Sequence, residues 1–158
     1  MTALHPSCQA VNDILATAGL PGRVRILGDA APTARAAAEQ VGCPVGAIAN
    51  SLIFAADGST PLLIMTSGAH RVDVVKVGHE LGTTLRRASA EFVREHTGQP
   101  IGGVAPIGHP RPIRTLVDVA LAEFDELWAA GGIPHAVFPI SYPDLLALTR
   151  GTEITVAD

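Results

Sequence analysis

Ala47-Ile-Ala-Asn-Ser-Leu-Ile-Phe-Ala-Ala56 and Pro61-Leu-Leu-Ile-Met-Thr-Ser67 are two apolar runs joined by Asp57-Gly58-Ser59-Thr60. Runs this short and this rich in aliphatic residues are buried strands. A four-residue connection containing Gly turns one strand back on the other, because Gly takes the positive φ that tight turns need. The pair therefore reads as a central antiparallel hairpin. A hairpin at the centre excludes a purely parallel sheet.

Outward from the hairpin, strands and helices interleave. Residues Pro6 to Thr17 place Val11, Ile14 and Leu15 at helical spacing, and Gly19, Pro21 and Gly22 stop that helix. Arg23 to Leu27 alternates charged and apolar residues, as a half-buried strand does. Pro32 to Gln40 is Ala-rich, opens with Pro-Thr and closes at Gly42. After the hairpin, Asp73 to Leu81 predicts a helix ending at Gly82, and Thr84 to Arg87 a short strand. Ser89 is a good N-cap for a helix over Ser89 to Glu95, with Gly98 beyond its end. Ile113 to Val119 and His135 to Ile140 read as strands, the second after a Gly131-Gly132 turn and the last in the chain. Pro143 to Thr149 reads as a short closing helix. Periodicity does not decide between helix and strand for Ala120 to Ala130. The pattern suits one α/β domain over residues 1–158, with a mixed sheet curled around its core and helices packed outside.

Residues 98–112 stand apart. Gly98, Gly102, Gly103 and Gly108 alternate there with Pro100, Pro106, Pro110 and Pro112. No regular helix or central strand tolerates that density of Pro. Ile101, Val104 and Ile107 anchor the segment, so it is a structured loop rather than a linker. Long ordered loops in compact domains commonly carry function.

The bulk numbers narrow the class. A chain of 158 residues with 47% apolar and 16% charged residues is globular. At this length about 70% of the unfolded surface is buried, so no staple is needed. With 4% aromatics, the core is built from Val, Leu, Ile and Ala. A net charge of −4 argues against binding a long run of nucleic acid. Cys8 and Cys43 form no CxxC pair, which fits reduced thiols in the cytoplasm. No signal peptide or membrane-spanning run is visible. The chain has no Walker or dinucleotide-binding glycine pattern, no nucleophile elbow and no paired-His metal motif. A glycine-proline loop without an evident side-chain nucleophile points to chemistry carried by backbone N–H groups.

The run Thr97-Gly-Gln-Pro-Ile-Gly102-Gly-Val-Ala-Pro106-Ile-Gly108 resembles the signature loop of the YbaK/prolyl-tRNA-synthetase-associated family, including its G-x-x-x-P motif at Gly102 to Pro106. Ala88 to Val93 before the loop, Arg114 to Asp118 after it, Ser67 to Asp73 with Lys76, and Gly131-Gly132 match in the same order. The resemblance implies a mixed, largely antiparallel barrel-like α/β domain. It also implies hydrolysis of the ester joining a wrong, small amino acid to the 3′ end of a tRNA, proline tRNA among others. The family's reaction is thought to use no metal, cofactor or protein nucleophile, with a ribose hydroxyl of the substrate helping to activate water. The implied partners are the aminoacyl-tRNA 3′ end and an aminoacyl-tRNA synthetase, with no DNA and no membrane.

Carried onto this chain, the resemblance assigns catalysis to Gly102, Gly103 and Asn50. It assigns substrate contacts to Pro106, Gly108, His109, Arg71, His135, Ser67 and Gly132. Trp128 reads as core or interface filler. One position departs from the pattern: Asn50 stands where many members carry a Lys associated with the terminal phosphate and with activity. Asn donates hydrogen bonds but has no charge; Arg71 and Lys76 are the candidates to replace it. This departure motivates an alternative, a member that binds a tRNA end, nucleotide, amino-acid-like ligand or synthetase without hydrolysing it. A hydrolase of another small ester or amide fits the loop as well.

Overall fold

The computed structural model of the protein describes residues 4–28 and 33–157. The central hairpin is present as β2 (Ile48–Ala56) and β3 (Thr60–Ser67), paired antiparallel from Ala49↔Ser67 to Ala56↔Thr60. Around it run α1 (Pro6–Thr17), β1 (Arg25–Ile26), α2 (Ala34–Val41), α3 (Val74–Leu81), β4 (Leu85–Arg87) and α4 (Ala90–Thr97). They are followed by β5 (Arg114–Asp118), β6 (Leu127–Ala130), β7 (Ala136–Ile140), α5 (Tyr142–Thr149) and β8 (Thr152–Ile154). The strands form one mixed sheet in the order β1-β7-β6-β2-β3-β5-β8, with β4 paired to β2 off that path. Pairs β1–β7, β2–β3, β2–β4 and β6–β7 are antiparallel; β2–β6, β3–β5 and β5–β8 are parallel.

Local chemistry sets the helix limits. Thr33, Asp73, Ser89 and Ser141 each accept a hydrogen bond from an amide in the first turn of α2, α3, α4 and α5. The expected start of α2 at Pro32 lies outside the described residues. The stretch left undecided resolves into a 3-10 turn, Val119–Glu123, and then β6. Asp118 starts that turn by accepting the Ala120 N–H at 3.0 Å. β7 is not the last strand: β8 follows α5 and adds to the edge of β5. β1 is only two residues long and both are exposed, so its alternation buries less than the half-buried reading implied.

Side-chain alternation gives the sheet two faces. The first carries Ala49, Ile53, Leu63, Met65 and Val117, packed against α1, α4, α5 and the buried Val104 and Ala105 of the glycine-proline loop. The second carries Phe54, Leu62, Ile64 and Leu116 against Val77 of α3, and Ile48 and Val137 against Ala37 and Ala38 of α2.

β2 has an unusual outer edge. Its start pairs with β6 at Ile48↔Trp128 and Ala49↔Ala129, and its end pairs with β4 at Phe54↔Arg87 through Ala56↔Leu85. Between these contacts no strand among the described residues adjoins β2 on that side. The Ile48 carbonyl faces β3, where it accepts the Gly68 N–H, while the Ile53 carbonyl faces the outer edge and accepts the Ala88 N–H at 3.2 Å. Alternation therefore turns the Ser51 N–H and C=O toward the gap. The sheet has a window there, edged by backbone that no ladder uses.

Candidate functional site

The window opens into a cleft of about 260 Å³. On the first face its walls are Ala49, Ile53, Val93, Val104 and Ala129, with Ile101 and Gly102 of the loop at the rim. This side is apolar and narrow. On the second face the walls are Asn50, Leu52, Arg87, Trp128 and Ala130, closed by Ala34 and Ala37 of α2. This side has hydrogen-bonding groups and, among the described residues, the cation of Arg87. No carboxylate among the described residues lines either side.

The loop is held to the cleft by a set of specific bonds. Gly103 N–H donates to Pro100 O at 3.0 Å, closing a turn in which Gly102 has φ +86°. That is the left-handed φ of the third residue of a type II turn, which favours Gly. Beneath the turn, the buried Gln99 side chain accepts the Ala105 N–H through Oε1 at 2.7 Å. Thr97 Oγ1 in turn accepts the Gln99 N–H at 3.0 Å. From the other limb, His109 Nε2 donates to Ala105 O at 2.8 Å. A carbonyl only accepts, so Nε2 carries the proton.

With Gly103 and Ala105 bonded internally, the amides of Ile101, Gly102 and Val104 remain among the loop residues that line the cleft. Gly102 and Val104 N–H groups have no acceptor among the described residues, and both residues line the cleft. The Asn50 carboxamide is half-buried and also has no protein partner among the described residues. Unspent polar groups in a partly enclosed cleft are costly unless something binds there. Donors of this kind can polarise a carbonyl and stabilise the negative charge that builds on its oxygen under attack.

Of the residues expected from sequence, the structure brings Asn50 and Gly102 together in the cleft. Gly103 supplies no free amide. Its place is steric: a Cβ on it would lie 2.5 Å from the Ile133 carbonyl carbon and 2.6 Å from Pro134 N. Gly132 performs a similar service one layer further out, where a Cβ would meet Ser7 Cβ at 2.8 Å. The other residues lie outside the cleft lining. Pro106 is buried within the loop, and Gly108 packs near Gln99 and Ile14. His109 is engaged with Ala105. His135 sits just before β7, where its carbonyl accepts the Leu27 N–H at 2.7 Å. Ser67 Oγ donates to Gly46 O at 2.8 Å, and Arg71 is exposed on the loop beyond β3. Lys76 is held by Glu80 and Thr155 O and does not replace a cleft cation.

Sequence reasoning did not single out Arg87 or the Ser51 edge, took Val104 only as an apolar anchor of the loop, and read Trp128 as core or interface filler. Trp128 is half-buried and forms part of the wall, with the Arg25 guanidinium 5.9 Å from its ring centroid. The adjacent Arg86 and Arg87 were the available signal, because alternation turns one of two neighbouring strand residues to each face.

His109 also makes stability pH-dependent. Burial lowers its pKa from 6.5, outweighing the bond to Ala105 O, which raises it. Below about pH 6.5 the unfolded chain therefore binds this proton more readily than the folded chain does. The contribution to stability is intact above about 6.5 and is lost as pH falls below it. Urea unfolding at pH 7.5 and 5.5 should show a loss of stability at the lower pH, and His109→Gln should remove this group's share of the slope.

A sequence profile of the aminoacyl-tRNA editing domain matches residues 29–148, most of the chain. The chain belongs to the aminoacyl-tRNA editing domain family. YwhH of Bacillus subtilis (strain 168), itself uncharacterized, is 32% identical over 113 residues, which are 72% of each protein. A proline–tRNA ligase of Delftia acidovorans is 29% identical over 110 residues, covering 63% of this chain but 19% of the ligase. A solved structure described provisionally as a trans-editing enzyme for prolyl tRNA synthetase superposes with a TM-score of 0.92, at 39% identity and 99% coverage of both chains. The mixed sheet with helices on both faces is thus the editing-domain fold. No helix among the described residues is long and apolar enough to cross a membrane.

Proposed function

We propose that this chain is a cytoplasmic deacylase that hydrolyses the ester of a small, wrongly attached amino acid on the 3′ end of a tRNA, proline tRNA included. One observation carries the reading: Gly102 and Val104, whose amides have no acceptor among the described residues, line a cleft with one apolar lobe within an editing-domain fold. The acyl side chain occupies the first-face lobe, where Ile53, Val93 and Val104 exclude larger groups by fit. The ester carbonyl oxygen accepts from the two amides, and water attacks the carbonyl carbon. A tetrahedral oxyanion forms, and the ribose oxygen leaves with a proton. Asn50, at the window, donates to ribose or phosphate oxygens. The scheme calls on no metal, cofactor or protein nucleophile.

The competing reading, a member that binds without hydrolysing, rests on Asn50 in place of Lys. Arg87 brings a positive charge to the same cleft from another strand, which favours the enzyme. The test is incubation of purified protein with alanyl-, cysteinyl- and seryl-tRNAs, following amino-acid release. The expected result is faster release from at least one of them. No release above buffer by folded protein from any of them overturns the proposal, and a gain of hydrolysis in Asn50→Lys would then favour the binding reading.

A further inference from the structure

We infer that the second-face lobe of the cleft is a nucleotide subsite, in which Trp128 stacks the terminal base and Arg87 and Arg25 hold the phosphates of the 3′ end. The inference deepens the deacylase reading and rests on it for the identity of the nucleic acid.

Strand register carries it. Trp128 pairs with Ile48 and Arg87 pairs with Phe54, so both side chains project from the second face, one at each end of the window. Six residues of strand separate the two positions along β2, roughly 20 Å. A Trp and an Arg side chain reaching inward leave room for a nucleoside between them. Arg25 pairs with Val137, which pairs with Ala130, and this puts it on the same face beside Trp128. Its guanidinium over the indole shows that this ring face accepts a planar partner. Among the described residues, neither Arg25 nor Arg87 has a carboxylate within ion-pair distance.

A patch in which one indole is flanked by two arginines without a carboxylate partner among the described residues, Arg87 in the cleft lining and Arg25 beside it over the indole, matches single-stranded nucleic acid, where bases stack and phosphates take the charge. It also reconciles an acidic protein with a nucleic-acid substrate. A net charge of −4 argues against a long basic track, but a 3′ end of two or three nucleotides needs only this patch. The window then divides the labour: the base and phosphates lie on one face of the sheet, and the acyl group passes toward the amides on the other.

Trp128 is the single tryptophan of the chain, so its fluorescence reports the subsite directly. The probe is the 5′-phosphorylated trinucleotide CCA. It should quench the emission of the full-length protein saturably, and each of Arg87→Gln and Arg25→Gln should flatten the plot of log affinity against log salt by roughly 0.7, the share of one phosphate on a single strand. Trp128→Ala should lower kcat/KM on aminoacyl-tRNA about five- to a hundredfold, through KM rather than kcat. Unchanged emission at millimolar CCA, in wild-type protein that still deacylates tRNA, would overturn the subsite and leave the proposed function standing. Saturable quenching with both salt slopes flattened, in protein that deacylates no tRNA, would support the subsite while the deacylase reading fell.

Discussion

Gly103→Ala is expected to displace the glycine-proline loop and, on the proposed function, to lower deacylation kcat/KM about a hundredfold. The new methyl would sit 2.5–2.7 Å from Ile133 C, Ile133 Cα and Pro134 N, all backbone atoms that no rotamer change can clear. Either the 100–105 turn or the 131–134 turn must move. A shift near 1 Å in positioning groups can cost about 10² in rate. Overpacking of this kind should also destabilise the fold by about 1–3 kcal/mol. Gly102→Ala provides the contrast. It meets nothing within 4 Å, and its penalty is the left-handed φ, roughly 1–2 kcal/mol for a residue with a Cβ. Single-turnover deacylation and urea unfolding of both variants separate the two effects. A Gly103→Ala protein with wild-type activity would show that the loop does not need its present position.

Asp118→Ala is expected to be the most destabilising of the polar substitutions. Asp118 is 1% exposed at the end of β5 and ties three segments together. Its Oδ2 accepts the Ser67 N–H at 3.1 Å and His70 Nδ1–H at 2.9 Å, and its Oδ1 accepts the Ala120 N–H at 3.0 Å. Removing the carboxylate leaves the Ser67 amide buried without an acceptor and releases the 3-10 turn that leads to β6. Hydrogen bonds to an ionised group contribute about 1.5–3 kcal/mol each. His70 is partly solvated, so its share is small. The expected loss is therefore about 3 kcal/mol, read as a lower urea midpoint with unchanged slope. Asp118→Asn keeps an acceptor for Ala120 and should fall between Ala and wild type. A midpoint equal to wild type for Asp118→Ala would contradict this role.

The sequence carried most of the fold because its signals were local. The hairpin, the capping residues Asp73 and Ser89, and the glycines ending α2, α3 and α4 each act within a few residues of themselves. β8 was not legible: three residues, two of them exposed, form a strand only because β5 offers an edge. Residues 120–130 were ambiguous because Ala suits helix and strand alike, and the outcome depends on the side chain of Asp118 and on pairing with β2.

The candidate site divides in the same way. The loop announced itself through Gly and Pro spacing, and Asn50 through its match to the position where many members of the resembled family carry Lys. Which amides stay free was not legible, since that depends on Gln99 folding beneath the loop and Pro100 closing the turn. The window was hidden for a stronger reason. It exists because β6 and β4 both pair with one edge of β2 and stop short of each other, and those partners lie 30 to 80 residues away in sequence. Trp128 and Arg87 gain meaning only from that register.

Amide NMR of 15N-labelled protein, titrated with an adenosine that carries alanine on its 3′ position through a non-hydrolysable amide, tests the proposed role of the Gly102 and Val104 amides most directly. The Gly102 and Val104 N–H resonances should shift furthest, with the Asn50 side-chain amide moving alongside them. Saturation of the protein with those three signals unmoved, and the changes gathered elsewhere, would contradict the account.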